Sequence, residues 1–413
     1  MIQAPETAHR GLSRAESVLL LLLVLSIFIN YIDRGNLSIA APLIEKQLVL
    51  SPLRMGALLS SFFWTYALFQ LTGLAGWLAD RFPVHLVFAG GFLVWSIATI
   101  VTGMLSGFVG LYIARLVLGA GESVAYPCYS RIFAACFPQH HRGRANALLD
   151  AGSKLGPALG TFLGGLLLVH LGWRLFFVVL GMASLLWLLP WVRFAPRSGG
   201  EGPLAPKHLP PVAEMLGLRS AWGTFLGHFC GNYFWFFLLT WIPSYLVKER
   251  GFSIHKMANV VSAAFLTVAA ATICAGWISD RCIARGFSPT RVRKSVVVSG
   301  LVFSSAILPA AFVTSAAASV ALLIAACIAF GTYTSNHWAI TQTLAGPLMA
   351  GRWTSIQNGI GSAAGIIAPW LAGAVVGYSG SSKPAFVISG LIVLLGALMW
   401  GCVVKRVEEV PWK

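Results

Sequence analysis

GWLADR at residues 76–81 and GWISDR at residues 276–281 are two versions of one hexapeptide, and they lie 200 positions apart in a chain of 413 residues. Each copy ends an apolar run and is followed by another apolar run. Self-similarity at a fixed separation indicates an internal repeat. The pair therefore predicts a chain built from two halves of the same design.

The composition indicates whether this chain folds in water or in a membrane. Hydrophobic residues make up 57%, charged residues 10%, and the mean hydropathy is +0.78, against about 45–50% and 25% in soluble domains. A water-soluble fold is excluded. A span needs about 20 apolar residues, so this length accommodates about twelve spans. We predict an all-α integral membrane protein with twelve transmembrane helices in two six-helix halves.

The apolar runs place the predicted spans and domains. The spans are predicted at 17–42, 54–79, 84–104, 107–134, 145–170, 173–194, 222–247, 256–279, 295–313, 317–344, 354–378 and 384–404. Residues 195–219 are rich in proline and glycine, which disfavours a helix interior. The predicted domains are an N-terminal six-helix bundle (1–194), a cytoplasmic linker (195–219) and a C-terminal six-helix bundle (220–413).

The net charge of +16 is interpreted from the positions of the charged residues relative to the predicted spans. Lysine and arginine concentrate in the loops on the side of both termini, and the positive-inside rule then places both termini in the cytoplasm. Lipid is the expected partner of this charge and nucleic acid is not. The apolar run after Arg10 and Arg14 lacks a small-residue cleavage site, so we interpret it as a retained first helix.

Each ionisable residue in the middle of a span raises the free energy of membrane insertion by about 2.5–3.5 kcal/mol. Such residues therefore persist mainly where they form ion pairs or have a function. Their simplest role is a structural ion pair between helices. The predicted first, fourth and fifth spans contain six such residues: Asp33, Arg34, Arg115, Glu122, Asp150 and Lys154.

Arg34 is the first candidate for binding an anion. Its guanidinium stays charged and its fork matches a carboxylate. The alternative is that Arg34 only neutralises the adjacent Asp33. Glu122 lies two helical turns after Arg115 on the same face, about 10 Å along the axis. Burial favours the protonated form of a carboxyl, whereas a nearby arginine favours its ionised form. A conformational change that alters either effect can therefore load or release the proton.

Four segments carry a family resemblance: NYIDRGNLS at 30–38, SFFWTYALFQ at 61–70, ARL at 114–116, and 119–127 with Glu122. With the repeated hexapeptide, the chain resembles the anion:cation symporters of the major facilitator superfamily, which include bacterial galactonate, glucarate and hexuronate symporters and vesicular glutamate and sialic-acid carriers. The resemblance implies an anion-binding role for Arg34. It also implies that Asp33 and Glu122 carry protons and that Arg115 modulates Glu122.

Further cavity candidates are polar or amphipathic residues on helices that face the transport pathway in the resembling family. His228 stands where its sugar-acid members often carry glutamine, and Ser362 where asparagine is expected. The candidates for substrate contact are Tyr31, Tyr66, Gln70, His228, Asn232, Ser335, Trp338 and Asn358.

A third group of charges is assigned to conformational change. Asp150 and Lys154 are four residues apart, a spacing at which opposite charges on a helix meet, so they are expected to form an ion pair near the inner gate. The charged residues of the repeated hexapeptides are expected to brace cytoplasmic helix ends and bias alternating access. These are Asp80, Arg81, Asp280 and Arg281.

The leading hypothesis is a monomeric, proton-coupled importer of a small organic anion, a sugar acid such as an aldonate or hexuronate, that works by alternating access. The seven cysteines have no CxxC spacing, and no nucleotide, hydrolase or metal motif is present. We therefore expect neither an enzyme nor a cofactor beyond the coupling protons. The alternatives are a proton-driven exporter or exchanger of amphipathic compounds, and a receptor or enzyme on a transporter scaffold.

Overall fold

The structure is a computed structural model that describes residues 13–137, 139–195 and 210–412. All regular elements in these ranges are helical. Because every backbone donor and acceptor in a helix is satisfied within the segment, an apolar chain of this kind can cross hydrocarbon. Most of the predicted linker, residues 196–209, lies outside the described residues, so the domain boundaries stay a prediction.

Twelve helical segments, α1 to α12, cross the bundle in chain order in the described ranges. They are α1 Arg14–Leu48; α2 Pro52–Leu71 continued by Leu74–Arg81; α3 Val84–Met104; α4 Phe108–Ser123 continued by Ala125–Cys136; α5 139–171; α6 173–186 continued by Leu188–Phe194; α7 Arg219–Lys248; α8 Ile254–Ala284; α9 Pro289–Ser304 continued by Ile307–Ala310; α10 316–345; α11 347–379; and α12 Lys383–Leu398 with a π turn Met399–Val403.

Two glycines separate helices that are otherwise continuous. Gly172 divides α5 from α6 with φ of 67°, and Gly346 divides α10 from α11 with φ of 61°. This left-handed conformation is strained for residues with a side chain, which explains why glycine stands at both breaks. Both breaks allow the chain to reverse with almost no loop.

Length and apolarity alone identify nine membrane-spanning stretches among the described residues, and one of them, Ala151–Phe194, contains the break at Gly172 and so crosses twice. Helices α2 and α7 complete the set. Large apolar side chains such as Leu21, Val109 and Leu189 face outward, as expected where lipid is the solvent. The predicted fold class, with twelve helices in two halves, is confirmed, and the chain is a multi-pass membrane protein.

The two halves meet where small residues allow close backbone approach. At the α2–α11 contact, a Cβ added to Gly373 would lie 2.8 Å from Cα of Gly56. At the α5–α8 contact, the Ser262 hydroxyl donates to the Ala158 carbonyl over 2.7 Å. These two helix pairs hold the N-terminal half against the C-terminal half.

An ion pair between Glu45 and Lys248 joins the last turns of α1 and α7. We call this end of the bundle, where α1 and α7 end, the distal end; the end where α1 begins is the proximal end. Glu45 is buried and Lys248 is partly exposed. The pair therefore fastens one half to the other at the distal end.

We expect Gly373→Ala to lower thermal stability in detergent, because its new methyl group would meet the Pro52 carbonyl at 2.6 Å and Gly56 Cα at 2.8 Å. The matched control is Gly377→Ala one turn later, whose methyl group meets nothing closer than 3.7 Å. The control should be neutral or slightly stabilising, since alanine is favoured over glycine in helices by about 1 kcal/mol. Equal melting temperatures for the two variants would contradict close α2–α11 packing at Gly373.

Candidate functional site

A buried ion pair lies near the middle of the N-terminal half. The Nε of Arg34 on α1 donates to Oε2 of Glu122 on α4 over 2.9 Å, and the two side chains are 5% and 0% exposed. Thus Glu122 is bound directly by Arg34, whereas the sequence predicted Arg115 as its modulator and Asp33 as the alternative partner of Arg34. Two charges in hydrocarbon persist here because each compensates the other.

Three aromatic rings surround the Arg34 guanidinium. Its carbon Cζ lies 4.7 Å from the ring centroids of Tyr31 and Tyr66 and 5.2 Å from that of Phe62. Aromatic faces attract a cation and exclude water, so the rings hold the guanidinium in place. The predicted substrate residues Tyr31 and Tyr66 are therefore beside Arg34, as the sequence hypothesis requires.

Asp33 and Arg115 complete a cluster of four charges with Arg34 and Glu122. Asp33 is buried, and its Oδ1 accepts from the Asn36 amide over 3.2 Å. Arg115 is also buried, lies 5.3 Å from the Phe62 ring, and interacts electrostatically with Glu122 and Asp33. The sequence-predicted proton-coupling residues thus lie in one place.

The cluster leaves hydrogen-bonding atoms unused. The buried atoms without a hydrogen-bond partner among the described residues are Asp33 Oδ2, Arg34 Nη2, Arg115 Nε and Glu122 Oε1. An unmade hydrogen bond on a buried charged group is costly, so such groups persist where something else binds or moves. Donors and acceptors are both present, which suits a site that exchanges partners.

A helix break positions Glu122. Pro127 has no backbone N–H, so the Ser123 carbonyl, four residues earlier, loses its usual helical donor. The Gln70 side chain on α2 replaces it and donates to that carbonyl over 2.9 Å. Gln70 was predicted to contact substrate; here its amide nitrogen supports the break beside Glu122.

A second polar cluster lies in the C-terminal half, on α7 and α10. The His228 and His337 rings stack with centroids 5.1 Å apart. The centroid of the Trp338 ring lies 4.8 Å from each of theirs. The Asn232 amide nitrogen lies 3.3 Å from His228 Nε2. We call His228, Asn232, His337 and Trp338 the histidine cluster; it brings together three of the predicted substrate residues.

Lys154 of α5 lies close enough to the histidine cluster to interact electrostatically with both His228 and His337. This places Lys154 toward the C-terminal half, in addition to any role at the inner gate. The side chain of Asp150, its predicted partner, lies outside the described residues. Their expected ion pair therefore stays a prediction.

The remaining predicted residues lie elsewhere or are engaged locally. The Ser335 hydroxyl donates to the Thr332 carbonyl over 2.7 Å, and Asn358 is half-buried on α11. Arg81, Asp280 and Arg281 are exposed near the proximal end, and the Asp80 side chain lies outside the described residues. Arg131 of α4 donates to the Ala79 carbonyl, so that hexapeptide contacts a neighbouring helix; bracing of helix ends stays a prediction.

Sequence reasoning missed Phe62 and His337. Phe62 lies between the two arginines. It belongs to the segment 61–70 that carried the family resemblance, but a phenylalanine in an apolar span has no signal of its own that predicts a role. His337 adjoins the predicted Trp338 within the polar run TYTSNHW at 332–338. That run inside an apolar span was a usable signal.

Charged side chains are buried in the middle of a helical bundle whose two halves meet through small residues. This arrangement defines the class of the protein, a membrane transporter rather than an enzyme. The model of the Major Facilitator Superfamily matches residues 23–369. The chain belongs to the Major Facilitator Superfamily.

Two relatives align over almost the whole chain. A D-galactonate transporter of Escherichia coli O6:H1 is 28% identical over 96% of this chain and 97% of its own length. A "Probable galactarate/D-glucarate transporter" of Escherichia coli K12 is 29% identical over 95% of this chain and 96% of its own. These matches confirm the resemblance to the anion-transporting members of the superfamily.

Among solved structures, a bacterial homologue of the human lysosomal transporter Spinster, in an inward-facing and occupied conformation, superposes with a TM-score of 0.83. It is 18% identical, and the match covers 97% of this chain and 100% of that chain. At this identity the likeness establishes the fold.

We expect Glu122→Gln to destabilise the protein more than Arg34→Gln. Loss of the carboxylate leaves a buried guanidinium that stays charged, which costs about 3–5 kcal/mol when a buried pair is broken. Loss of the guanidinium leaves Glu122, which can take up a proton and become neutral. Thermal unfolding in detergent measures both, and a larger loss in Arg34→Gln would contradict this account of the pair.

Proposed function

We propose that this protein imports a small organic anion together with protons, by alternating access of one central site to the two sides of the membrane. The observation that carries the proposal is the buried contact between Arg34 and Glu122. Arg34 stays positively charged, whereas Glu122 can be protonated. Arg34 can therefore bind either the Glu122 carboxylate or, when Glu122 is protonated, an incoming anion.

Charge balance explains the coupling. With both carboxylates ionised, the cluster of Asp33, Arg34, Arg115 and Glu122 contains two positive and two negative groups and is neutral. A proton on Glu122 removes the partner of Arg34 and leaves a buried positive charge, which is unfavourable in hydrocarbon. An incoming carboxylate at Arg34 restores neutrality. The anion therefore binds best when a proton is already present.

The reverse sequence accounts for release. When the site opens to the cytoplasm and Glu122 loses its proton, its carboxylate competes for the Arg34 guanidinium and displaces the substrate. Asp33, with one oxygen lacking a hydrogen-bond partner among the described residues, is a second place for a proton. Rocking of the two halves about the site supplies the alternating access.

A sugar acid is the substrate class that the site and the relatives support. Arg34 suits a carboxylate, and the aromatic and polar side chains of Tyr31, Tyr66, Asn232 and Trp338 suit a hydroxylated carbon chain. Both relatives described above bear the names of sugar-acid transporters. The proposal places the protein in a bacterial inner membrane, as a monomer with both termini in the cytoplasm.

The test is uptake of radiolabelled sugar acids and simple carboxylates into proteoliposomes under an inward proton gradient. We expect accumulation of at least one acid, its collapse when the gradient is dissipated, and its loss in Arg34→Ala. In Glu122→Gln, gradient-driven accumulation should fall by about tenfold or more, because one proton site is gone. A tenfold change corresponds to about 1.4 kcal/mol.

Counterflow separates coupling from binding. Glu122→Gln should still exchange labelled for unlabelled substrate without a gradient, since Arg34 remains. Full gradient-driven accumulation by Glu122→Gln would remove Glu122 from the proton pathway. If no anion is transported and amphipathic compounds are expelled or exchanged instead, the protein is a proton-driven exporter or exchanger, which is the alternative function.

A further inference from the structure

Helices α1 and α4 contact each other through side chains along one face of α1. The residues of this face are spaced four apart: Ser26, Asn30 and Arg34. The Ser26 and Tyr129 hydroxyls share a hydrogen bond of 2.8 Å, and Arg34 binds Glu122. These two contacts pair the helices in opposite directions. Asn30 is therefore level with the part of α4 between Glu122 and Tyr129.

Asn30 differs from the residues one turn before and one turn after it. Its side chain is 0% exposed, and neither the amide nitrogen nor the amide oxygen has a hydrogen-bond partner among the described residues. A buried amide without a partner destabilises a fold, so such groups are rare in native proteins. This amide therefore needs another reason to be present.

The Glu122 carboxyl lies beside the Asn30 amide and also has an unused atom. Asn30 is close enough to act on this carboxyl. Glu122 Oε2 accepts from Arg34, whereas Oε1 has no partner in the described part of the chain. Arg34 thus occupies one carboxyl oxygen and leaves the other available to the Asn30 amide.

A primary amide can pair with a carboxyl in both of its protonation states. An ionised carboxylate only accepts hydrogen bonds, whereas a protonated carboxyl also has an O–H donor. The asparagine amide has an NH₂ donor and a carbonyl acceptor of nearly the same size, so rotation about one side-chain bond exchanges them. A lysine, which only donates, would serve one state alone.

We infer that Asn30 is a positioning residue that holds the Glu122 carboxyl in both protonation states. Its NH₂ donates to the ionised carboxylate, and its amide oxygen accepts from the O–H of the protonated carboxyl. This inference rests on the proposed function, in which Glu122 gains and loses a proton. The carboxyl then stays in place while Arg34 binds the incoming anion, and it can bind the guanidinium again once the proton has left.

Other ionisable groups also face Glu122 and contribute to its titration. They include Asp33 and Arg34 of α1, Tyr66 of α2, and Arg115 and Tyr129 of α4. Arginine stays charged and tyrosine stays neutral near pH 7. Among these groups, Asp33 is therefore the carboxyl whose proton must be distinguished from that of Glu122.

Infrared spectroscopy of the purified full-length protein tests the inference without substrate. The C=O band of protonated carboxyls is followed across a pH series, and its loss in Glu122→Gln identifies the band of Glu122. In Asn30→Leu, the midpoint of this band should rise by about 0.5–1 pH unit, because a hydrogen bond to an ionised group is about twice as strong as one between neutral groups. The band should also move to higher frequency, since the protonated carboxyl loses a hydrogen bond.

The matched control is Ser26→Ala, which removes the neighbouring α1–α4 hydrogen bond to Tyr129 and should leave the Glu122 band unchanged. Asn30→Ala removes the same amide, and it decides the comparison if Asn30→Leu is not inserted. An unchanged Glu122 band in the Asn30 variants would overturn the inference. The same shift in Ser26→Ala would also overturn it, because Asn30 would then act only through the packing of the two helices.

The result distinguishes this inference from the proposed function. Proton-driven, Arg34-dependent uptake together with a Glu122 band that does not respond to the Asn30 variants would preserve the function and overturn the role of Asn30. The expected band shift in a protein that transports no anion would support the role of Asn30 and overturn the proposed function. If Glu122→Gln removes no titrating band, both the role of Asn30 and the role of Glu122 as a proton carrier are wrong.

Discussion

The buried contact between Arg34 and Glu122 is the constraint on which the rest of the structure depends. Charge in hydrocarbon is costly, and each of these two groups makes the other tolerable. The aromatic rings of Tyr31, Phe62 and Tyr66 shield the guanidinium, while the break before Pro127, capped by Gln70, sets the position of the carboxylate. Helix geometry and side-chain packing in α1, α2 and α4 thus serve one ion pair.

Much of this was predictable from the sequence, because the signals were strong and local. The repeated hexapeptide and the apolar runs predicted twelve helices in two halves, since a membrane permits few alternatives. Asp33, Arg34, Arg115 and Glu122 were identified because each is costly inside a span. Pairing was harder to predict. Arg34 and Glu122 are 88 positions apart, and only the crossing of α1 and α4 decides that this arginine, not Arg115, binds the carboxylate.

The C-terminal half illustrates a second limit. His228 and Trp338 were selected through family likeness, whereas His337 was missed because a histidine in a polar run has no fixed role. Its place in the histidine cluster is decided by three-dimensional neighbours, the stacked His228 ring and Lys154 of the other half. Lys154 shows the same point, since the i, i+4 spacing from Asp150 suggested a local partner, while α5 directs it toward residues far away in sequence.

The two polar regions have different consequences for alternating access. The four-charge cluster belongs to α1 and α4, so in the proposed alternating access it moves with the N-terminal half. The histidine cluster belongs to α7 and α10 but interacts electrostatically with Lys154 of α5, so the proposed rocking of the halves changes the distance between this cation and the imidazoles. An interaction that crosses between the halves in this way has a different strength in each conformation of the proposed cycle. It therefore acts on the equilibrium between conformations, which is the equilibrium that alternating access requires.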